Sequence, residues 1–127
     1  MPVRGIRGAT VAEVDMAESI RGATRELLAE LVAANGLDPA DIASVIFTVT
    51  PDLTMEQPAR AAREMGWTEA ALLCVNEMVV PGGLPRCIRV LIHWNTEARP
   101  EAIHHVYLHA AAQLRPDRAA QAGRPNS

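Results

Sequence analysis

The spacing of apolar residues predicts one long helix near the start of the chain. Between positions 17 and 34, apolar or small side chains recur three and four residues apart, which places them on one helix face. That face consists of Ala17, Ile20, Thr24, Leu27, Leu31 and Ala34. Asp15 and Glu18 have the spacing of a capping box and predict the helix start, and Asn35-Gly36 predicts its end.

Other segments have the composition or the alternation of β-strands. The predicted strands are Val3–Val11, Ser44–Thr50, Ala70–Asn76, Cys87–Trp94 and a short one at His104–Leu108. Cys87–Trp94 alternates most clearly, because its even-numbered residues are apolar while Arg89 and His93 fall on the other face. A turn or a single helical turn is predicted at 38–41, with Pro39 at its first position, and a short helix at Pro58–Met65.

The order of these elements predicts an α+β fold, a mixed β-sheet with one long helix across a face. One long helix cannot cover both faces of a largely apolar sheet, so we expect the second face to pack against other copies of the chain. The length of 127 residues fits a single domain, 1–127. The chain turns polar from Arg115, which predicts a mobile C-terminal tail at 116–127.

Composition narrows the possible functions. The formal charge is −3 and aromatic residues are only 3% of the chain, so neither a nucleic acid nor a membrane is expected as a partner. All 12 basic residues are arginine, which excludes Schiff-base chemistry on a lysine and the P-loop lysine. The 2 cysteines cannot form a disulfide framework, and the first residues lack the apolar core of an export signal, so a cytoplasmic protein is expected.

The arginines are the strongest candidates for chemistry. Arg89 lies in the middle of an apolar strand, where we expect it to be buried and therefore paired. Arg7 lies in the first strand, and Arg60 and Arg63 share a face of the short helix. Structural ion pairs would explain each of them singly, whereas a pocket for a small polyanion would explain them together. No metal is expected, because the adjacent His104-His105 would point to opposite faces of a strand.

A series of short motifs extends over nearly the whole chain. They are Arg4-Gly5-Ile6-Arg7-Gly8-Ala9-Thr10, Thr50-Pro51-Asp52-Leu53, Pro58-Ala59, Cys74 with Asn76-Glu77-Met78, Gly82-Gly83-Leu84, Cys87-Ile88-Arg89-Val90, His105-Val106-Tyr107-Leu108 and Leu114-Arg115-Pro116-Asp117. In these stretches and in their order the chain resembles the AroH-class chorismate mutases. The resemblance implies a homotrimer forming a pseudo-α/β barrel, with active sites between neighbouring subunits. It also implies the Claisen rearrangement of chorismate to prephenate in phenylalanine and tyrosine biosynthesis, with no cofactor or metal.

The resemblance also implies a role for particular residues. Arg89 would contact both the ether oxygen and a carboxylate of the substrate, Glu77 and Cys74 would contact its ring hydroxyl, and Arg7 and Tyr107 would hold a carboxylate. The remaining substrate-binding positions would be Ala59, Arg60, Arg63, Leu73, Leu114 and Arg115, of which Leu114 and Arg115 would close over the site. Gln57, Arg60 and Leu73 depart from the family's usual residues. Since Cys74 and Glu77 are an odd number apart, they can touch one ligand only if their strand ends or bulges near Asn76.

Two other functions fit the same residues. A trimeric sensor could clamp a small anionic metabolite with Arg7, Arg89 and Tyr107 without any turnover. A trimeric imine deaminase would also use an arginine between subunits. Cys74 together with Glu77 favours the mutase, since a sensor has no need of them.

Overall fold

A computed structural model describes residues 1–114 of the chain. The strands are β1 (Val3–Val11), β2 (Ile42–Val49), β3 (Ala71–Asn76), β4 (Cys87–Asn95) and β5 (Val106–Tyr107). The helices are α1 (Ala17–Asn35) and α2 (Ala59–Glu64), and 3₁₀ turns lie at Pro39–Asp41, Pro100–Ala102 and His109–Leu114. The helical turn predicted at Pro39 is therefore confirmed, whereas the last strand is shorter than predicted. Arg115 and the tail predicted at 116–127 lie outside the described residues.

The strands form one mixed sheet in the order β3-β2-β4-β1-β5. β4 is antiparallel to both β1 and β2, whereas the outer pairs β2–β3 and β1–β5 are parallel. This arrangement confirms the predicted α+β fold with a mixed sheet. Among residues 1–114, no helix is both long enough and apolar enough to cross a bilayer.

One face of the sheet is covered by α1 and α2. On this face β4 contributes Ile88, Val90, Ile92 and Trp94, none more than 7% exposed, as its alternation predicts. From α1, the fully buried Leu27, Leu28 and Leu31 share one core cluster with Val90, Ile92 and Trp94, and Ile20 shares a second with Ile88. The opposite face, called the open face below, is not covered by α1 or α2, and from residues 1–114 only the 3₁₀ turn at His109–Leu114 reaches its cavity. It carries partly or fully exposed side chains at Arg7, Ile46, Thr48, Leu73, Val75, Arg89, Leu91 and His93.

Two details of α1 differ from the prediction. The capping box is wrong: the N-cap residue is Met16, without a side-chain cap, because the Asp15 carboxylate is used elsewhere. It accepts hydrogen bonds from the backbone N–H and hydroxyl of Thr54, at 2.9 and 2.7 Å, and from the N–H of Met55. The predicted apolar face is wrong at Ala34, which is exposed. The predicted end is confirmed, since Gly36 adopts the left-handed conformation (φ 63°).

Candidate functional site

Polar side chains from four separate parts of the chain line one cavity on the open face. Arg7 comes from β1, Arg89 from β4, Tyr107 from β5, and Glu77 follows directly after β3. The cavity has a volume of about 300 Å³. Its other lining residues are Gly8, Ile46, Thr48, Val90, Leu91 and Leu114. The structure thus brings together five of the residues singled out from the sequence, and the five (Arg7, Glu77, Arg89, Tyr107 and Leu114) are called the Arg89 group.

Strand register explains why these side chains converge. Ala9 pairs with Arg89 on one side and with Tyr107 on the other, so Arg89 and Tyr107 flank a single methyl group. A small residue here leaves space between the guanidinium and the phenol. The N–H of Arg7 donates to Nδ1 of His105 at 2.9 Å, which ties β1 to the start of β5 beside the cavity. Sequence reasoning missed this function of His105, because its partner Arg7 lies 98 residues away and no local pattern links the two.

Glu77 and Arg89 form the charged centre of the cavity. Nε of Arg89 lies 3.2 Å from Oε1 of Glu77, and Thr48 donates its hydroxyl hydrogen to the same oxygen. The Arg89–Glu77 contact is an ion pair by distance only, since Nε has no hydrogen-bond partner among residues 1–114. The Arg89 side chain is 44% exposed in the single chain, although its Nε is buried, so the predicted burial of this arginine holds only in part. It projects from the odd-numbered side of β4, where the only cover near it within residues 1–114 comes from the turn that carries Leu114.

A second, more apolar cavity of about 370 Å³ adjoins the first. The two share Glu77, Arg89 and Leu114. The remaining walls come mainly from the segment after Glu77, whose Met78 and Val79 are 78% and 73% exposed, and from the turn at 50–52. The charged centre therefore opens onto an apolar pocket, a combination suited to a small ligand with an anionic end.

The other predicted site residues lie elsewhere. Cys74 pairs with the fully buried Phe47 and so faces the helix-covered side, opposite to Glu77. β3 has no bulge but does end at Asn76, as one of the two predicted alternatives requires; even so, Cys74 and Glu77 line different cavities. Cys74 lines a separate cavity of about 230 Å³ beside Gln57, which shares no residue with the two cavities around Arg89.

The remaining predicted site residues among those described lie on α2 and β3, and two of them act on Cys74. Burial raises the pKa of its thiol, while a hydrogen bond from the backbone of Ala59 and the charge of Arg63 act in the opposite direction. The thiol is therefore a hydrogen-bond donor at neutral pH. Ala59 itself is only 3% exposed, and Leu73 is 56% exposed on the open face. We call Ala59, Arg60, Arg63, Leu73 and Cys74 the Cys74 group.

Arg60 has acidic neighbours within its own helix region. Its guanidinium lies 4.0 Å from Glu56 and 3.6 Å from Glu64, with about half of its side chain exposed at 55%. Two exposed pairs of this kind contribute little to stability and leave the charge available to a ligand. Arg63, by contrast, is close enough to Cys74 to influence the thiol.

Two histidines near the end of the described chain, His105 and His109, have separate partners. The ring of His105 accepts from Arg7, and that of His109 lies 2.9 Å from Glu26. Within residues 1–114 no three His, Cys, Asp or Glu side chains are arranged to hold a metal ion.

The Arg89 group can bind and stabilise negative charge. Two guanidinium groups, a phenol and one carboxylate surround a partly apolar space. Guanidinium groups suit carboxylate ligands because their planar fork matches the two oxygens. A positive charge fixed beside a ligand also stabilises any negative charge that develops there during a reaction.

Comparison with known proteins gives a consistent result. The family model for chorismate mutase type I matches residues 3–118. The chain is 53% identical over 116 residues to the chorismate mutase AroH of Thermus thermophilus, covering 91% of this chain and 95% of that protein. It is 42% identical over 118 residues to chorismate mutase AroH of Bacillus subtilis, covering 92% and 93%. The solved structure of a chorismate mutase from Clostridium thermocellum superimposes with a TM-score of 0.85 at 50% identity, covering 87% of this chain and 98% of that one.

Proposed function

The chain belongs to the type I chorismate mutase family, and from that membership we propose that it catalyses the rearrangement of chorismate to prephenate. The observation that carries the proposal is the cavity in which Arg7, Glu77, Arg89 and Tyr107 converge. Its product would enter the biosynthesis of phenylalanine and tyrosine. The two cysteines are free, which is usual in a reducing compartment, and we place the reaction in the cytoplasm.

This rearrangement does not require the protein to form covalent bonds with the substrate. A C–O bond breaks and a C–C bond forms in one step within the same molecule, so no nucleophile and no proton transfer is needed. The protein can hold the substrate in its folded, reactive conformation, and it can stabilise the charge that separates in the transition state. Interactions that strengthen in the transition state are the ones that raise kcat.

Each member of the Arg89 group then has a distinct role. Arg89 donates to the ether oxygen, where negative charge grows as the C–O bond breaks. Glu77 accepts a hydrogen bond from the ring hydroxyl and lies beside the ring fragment that becomes partly positive. Arg7 and Tyr107 hold a carboxylate, and Leu114 closes the apolar side of the cavity. The 3.2 Å separation of Arg89 and Glu77 supports this division, because both charges lie within reach of one small ligand.

The Cys74 group requires a second copy of the chain. Within one chain Cys74 and Glu77 face opposite sides of the sheet, so they cannot contact the same ligand. We propose a homotrimer in which the Cys74 group of one subunit completes the Arg89 group of its neighbour. Exposed apolar side chains on β3 support this assembly, since Leu73 and Val75 remain 56% and 40% exposed in the single chain.

The direct test is a turnover assay. Chorismate absorbs in the ultraviolet, and its absorbance should fall when the protein is added, with prephenate identified as the product by NMR. Binding of chorismate without loss of absorbance would overturn the proposal and favour the sensor. Release of ammonia from imine substrates, with chorismate unchanged, would favour the deaminase.

A further inference from the structure

We propose that Thr48 is a positioning residue for this reaction: its hydroxyl holds the Glu77 carboxylate so that Arg89 is not fully neutralised by it. The inference rests on the proposed function and adds to it a residue that none of the sequence motifs contains. Thr48 lines the same cavity as Glu77 and Arg89.

The strand register places Thr48 between Arg89 on β4 and the end of β3, which Glu77 follows. Across the β2–β4 pair it lies directly opposite Arg89, and across the β2–β3 pair it neighbours Val75. Directly opposite residues project to the same face of a sheet, so the hydroxyl and the guanidinium stand side by side on the open face. Glu77 follows two residues after Val75 and is anchored by its own N–H, which donates to the carbonyl of Val49 at 2.7 Å.

The hydroxyl and the guanidinium approach the same carboxylate oxygen in different ways. Thr48 makes a hydrogen bond to Oε1 of Glu77, whereas Nε of Arg89 lies at 3.2 Å without hydrogen-bond geometry. Thr48 therefore supplies the directional contact, and Arg89 contributes only its charge. Oε1 is held in this way, and Oε2 is the oxygen that would receive the ring hydroxyl of the substrate.

The arrangement matters because a carboxylate and a guanidinium otherwise prefer a bidentate pair with two parallel N–H···O bonds. Such a pair would turn the N–H groups of Arg89 away from the ether oxygen and would cancel much of its field. A neutral hydroxyl can prevent this without adding a charge of its own. Thr48 thus keeps the two charged groups from forming a bidentate pair, so that each can act on a different part of the substrate.

The test replaces Thr48 by valine, which keeps the side-chain shape and removes the hydroxyl. Loss of a hydrogen bond to a charged group predicts a fall in kcat of about 10-fold or more. KM should change by less than about 2-fold, because Arg7 and Tyr107 still hold the carboxylate. Thr48→Ser should restore kcat, since it returns the hydroxyl alone. Thr48→Ala serves as a second variant with the same expected loss.

Two further proteins separate positioning from general structural damage. Thr10→Val makes the same substitution on β1, on the helix-covered face, and should leave kcat and KM unchanged. In a Glu77→Gln background, Thr48→Val should cost less than about 2-fold, because a residue that acts through Glu77 has nothing left to position. Thermal unfolding and sedimentation of each variant establish that the fold and assembly are kept.

The outcomes distinguish this inference from the proposed function. If the wild-type protein does not convert chorismate, the proposed function fails and the role of Thr48 fails with it. If the wild-type protein is active but Thr48→Val has normal kcat, only the positioning role is wrong. A rise in KM alone, or an undiminished loss in the Glu77→Gln background, would also overturn it.

Discussion

The two faces of the sheet differ although they are built from the same strands. In β4, the residues that face the helices are at most 7% exposed, whereas the intervening Arg89 side chain is 44% exposed. The helix-covered face is closed by the chain's own α1 and α2. The open face carries the Arg89 group together with exposed apolar residues of β3.

This difference separates the source of stability from the source of function. Buried aliphatic side chains on the helix-covered face remove apolar surface from water, and that burial holds the fold together. Arginine, glutamate and tyrosine on the open face stay within reach of a ligand. Substitutions on the open face should therefore change catalysis more than stability, and those on the helix-covered face should do the reverse.

The largest effect is expected from Arg89→Gln on the open face. If Arg89 meets the ether oxygen, its charge matters most in the transition state, so kcat should fall by about 100-fold or more. KM should rise much less, because Arg7 and Tyr107 still bind a carboxylate. Steady-state kinetics by chorismate absorbance measure both constants, and denaturant unfolding should show little loss of stability.

Arg99→Gln is the matched control, since Arg99 is 79% exposed and pairs with Glu101 away from the cavity. It should behave as wild type. A rise in KM with normal kcat for Arg89→Gln would mean that this arginine binds ground state and transition state alike. The electrostatic account of catalysis would then be wrong even for an active mutase.

The second prediction tests whether the Arg89 group of one subunit and the Cys74 group of its neighbour form one active site. An inactive Arg89→Gln protein is mixed, by joint refolding, with a Cys74→Ala/Arg63→Gln protein whose defect lies in the other group. If each site combines the Arg89 group of one subunit with the Cys74 group of the next, random mixing at equal amounts restores about one quarter of the sites.

Activity per subunit should accordingly rise toward about one quarter of the wild-type value after mixing, measured by chorismate turnover. Refolding either variant alone is the control. Recovery no greater than the average of the two separate proteins would contradict a shared site. A fully active Cys74→Ala/Arg63→Gln protein would remove the Cys74 group from the mechanism.

Sequence periodicity predicted the helix-covered face better than the open face. The alternation in β4 identified its buried side directly, because apolar burial repeats every second residue in a strand. The same alternation placed Arg89 on the other side but could not show whether another element covers that side. Burial of Arg89 was predicted correctly only in part, because exposure depends on how the elements pack and not on neighbours along the chain.

Only the site residues that belong to the family motifs could be predicted from the sequence. Arg7, Glu77, Arg89 and Tyr107 converge as the family resemblance implied, although no local pattern links β1, β4 and β5. Thr48 was missed because a threonine in a β-branched strand is ordinary, and its partner Glu77 lies 29 residues away. The start of α1 was misassigned for a related reason, since Asp15 binds a distant loop instead of the helix N-terminus.

A smaller effect is expected on the helix-covered face from Thr10→Val. The hydroxyl of Thr10 is fully buried and has no hydrogen-bond partner among residues 1–114. Replacing it by a methyl group of the same shape should raise the free energy of unfolding by about 1 kcal/mol. Denaturant unfolding measures this change, and kcat should not move.

Thr24→Val is the matched control for that substitution. Thr24 is equally buried, but its hydroxyl donates to the carbonyl of Ile20 at 2.8 Å. Because a satisfied hydroxyl is removed, no comparable gain in stability is expected. Equal stability changes in the two variants would show that the unpaired state of the Thr10 hydroxyl is not the cause.

The smallest effect concerns Asp15, at the loop contact that replaced the predicted helix cap. Hydrogen bonds from the hydroxyl and the backbone of Thr54 hold the pKa of Asp15 below its ordinary value. Since the pKa is lower in the folded than in the unfolded chain, this contact stabilises the fold above the unfolded value of about 3.9. The stabilisation is lost as the pH falls through the folded pKa.

Unfolding of the wild-type protein should therefore depend more steeply on pH below about 4 than unfolding of Asp15→Asn. Thr54→Val removes the largest cause of the shift and should weaken the same dependence. Identical acid profiles for all three proteins would show that this contact contributes nothing to stability.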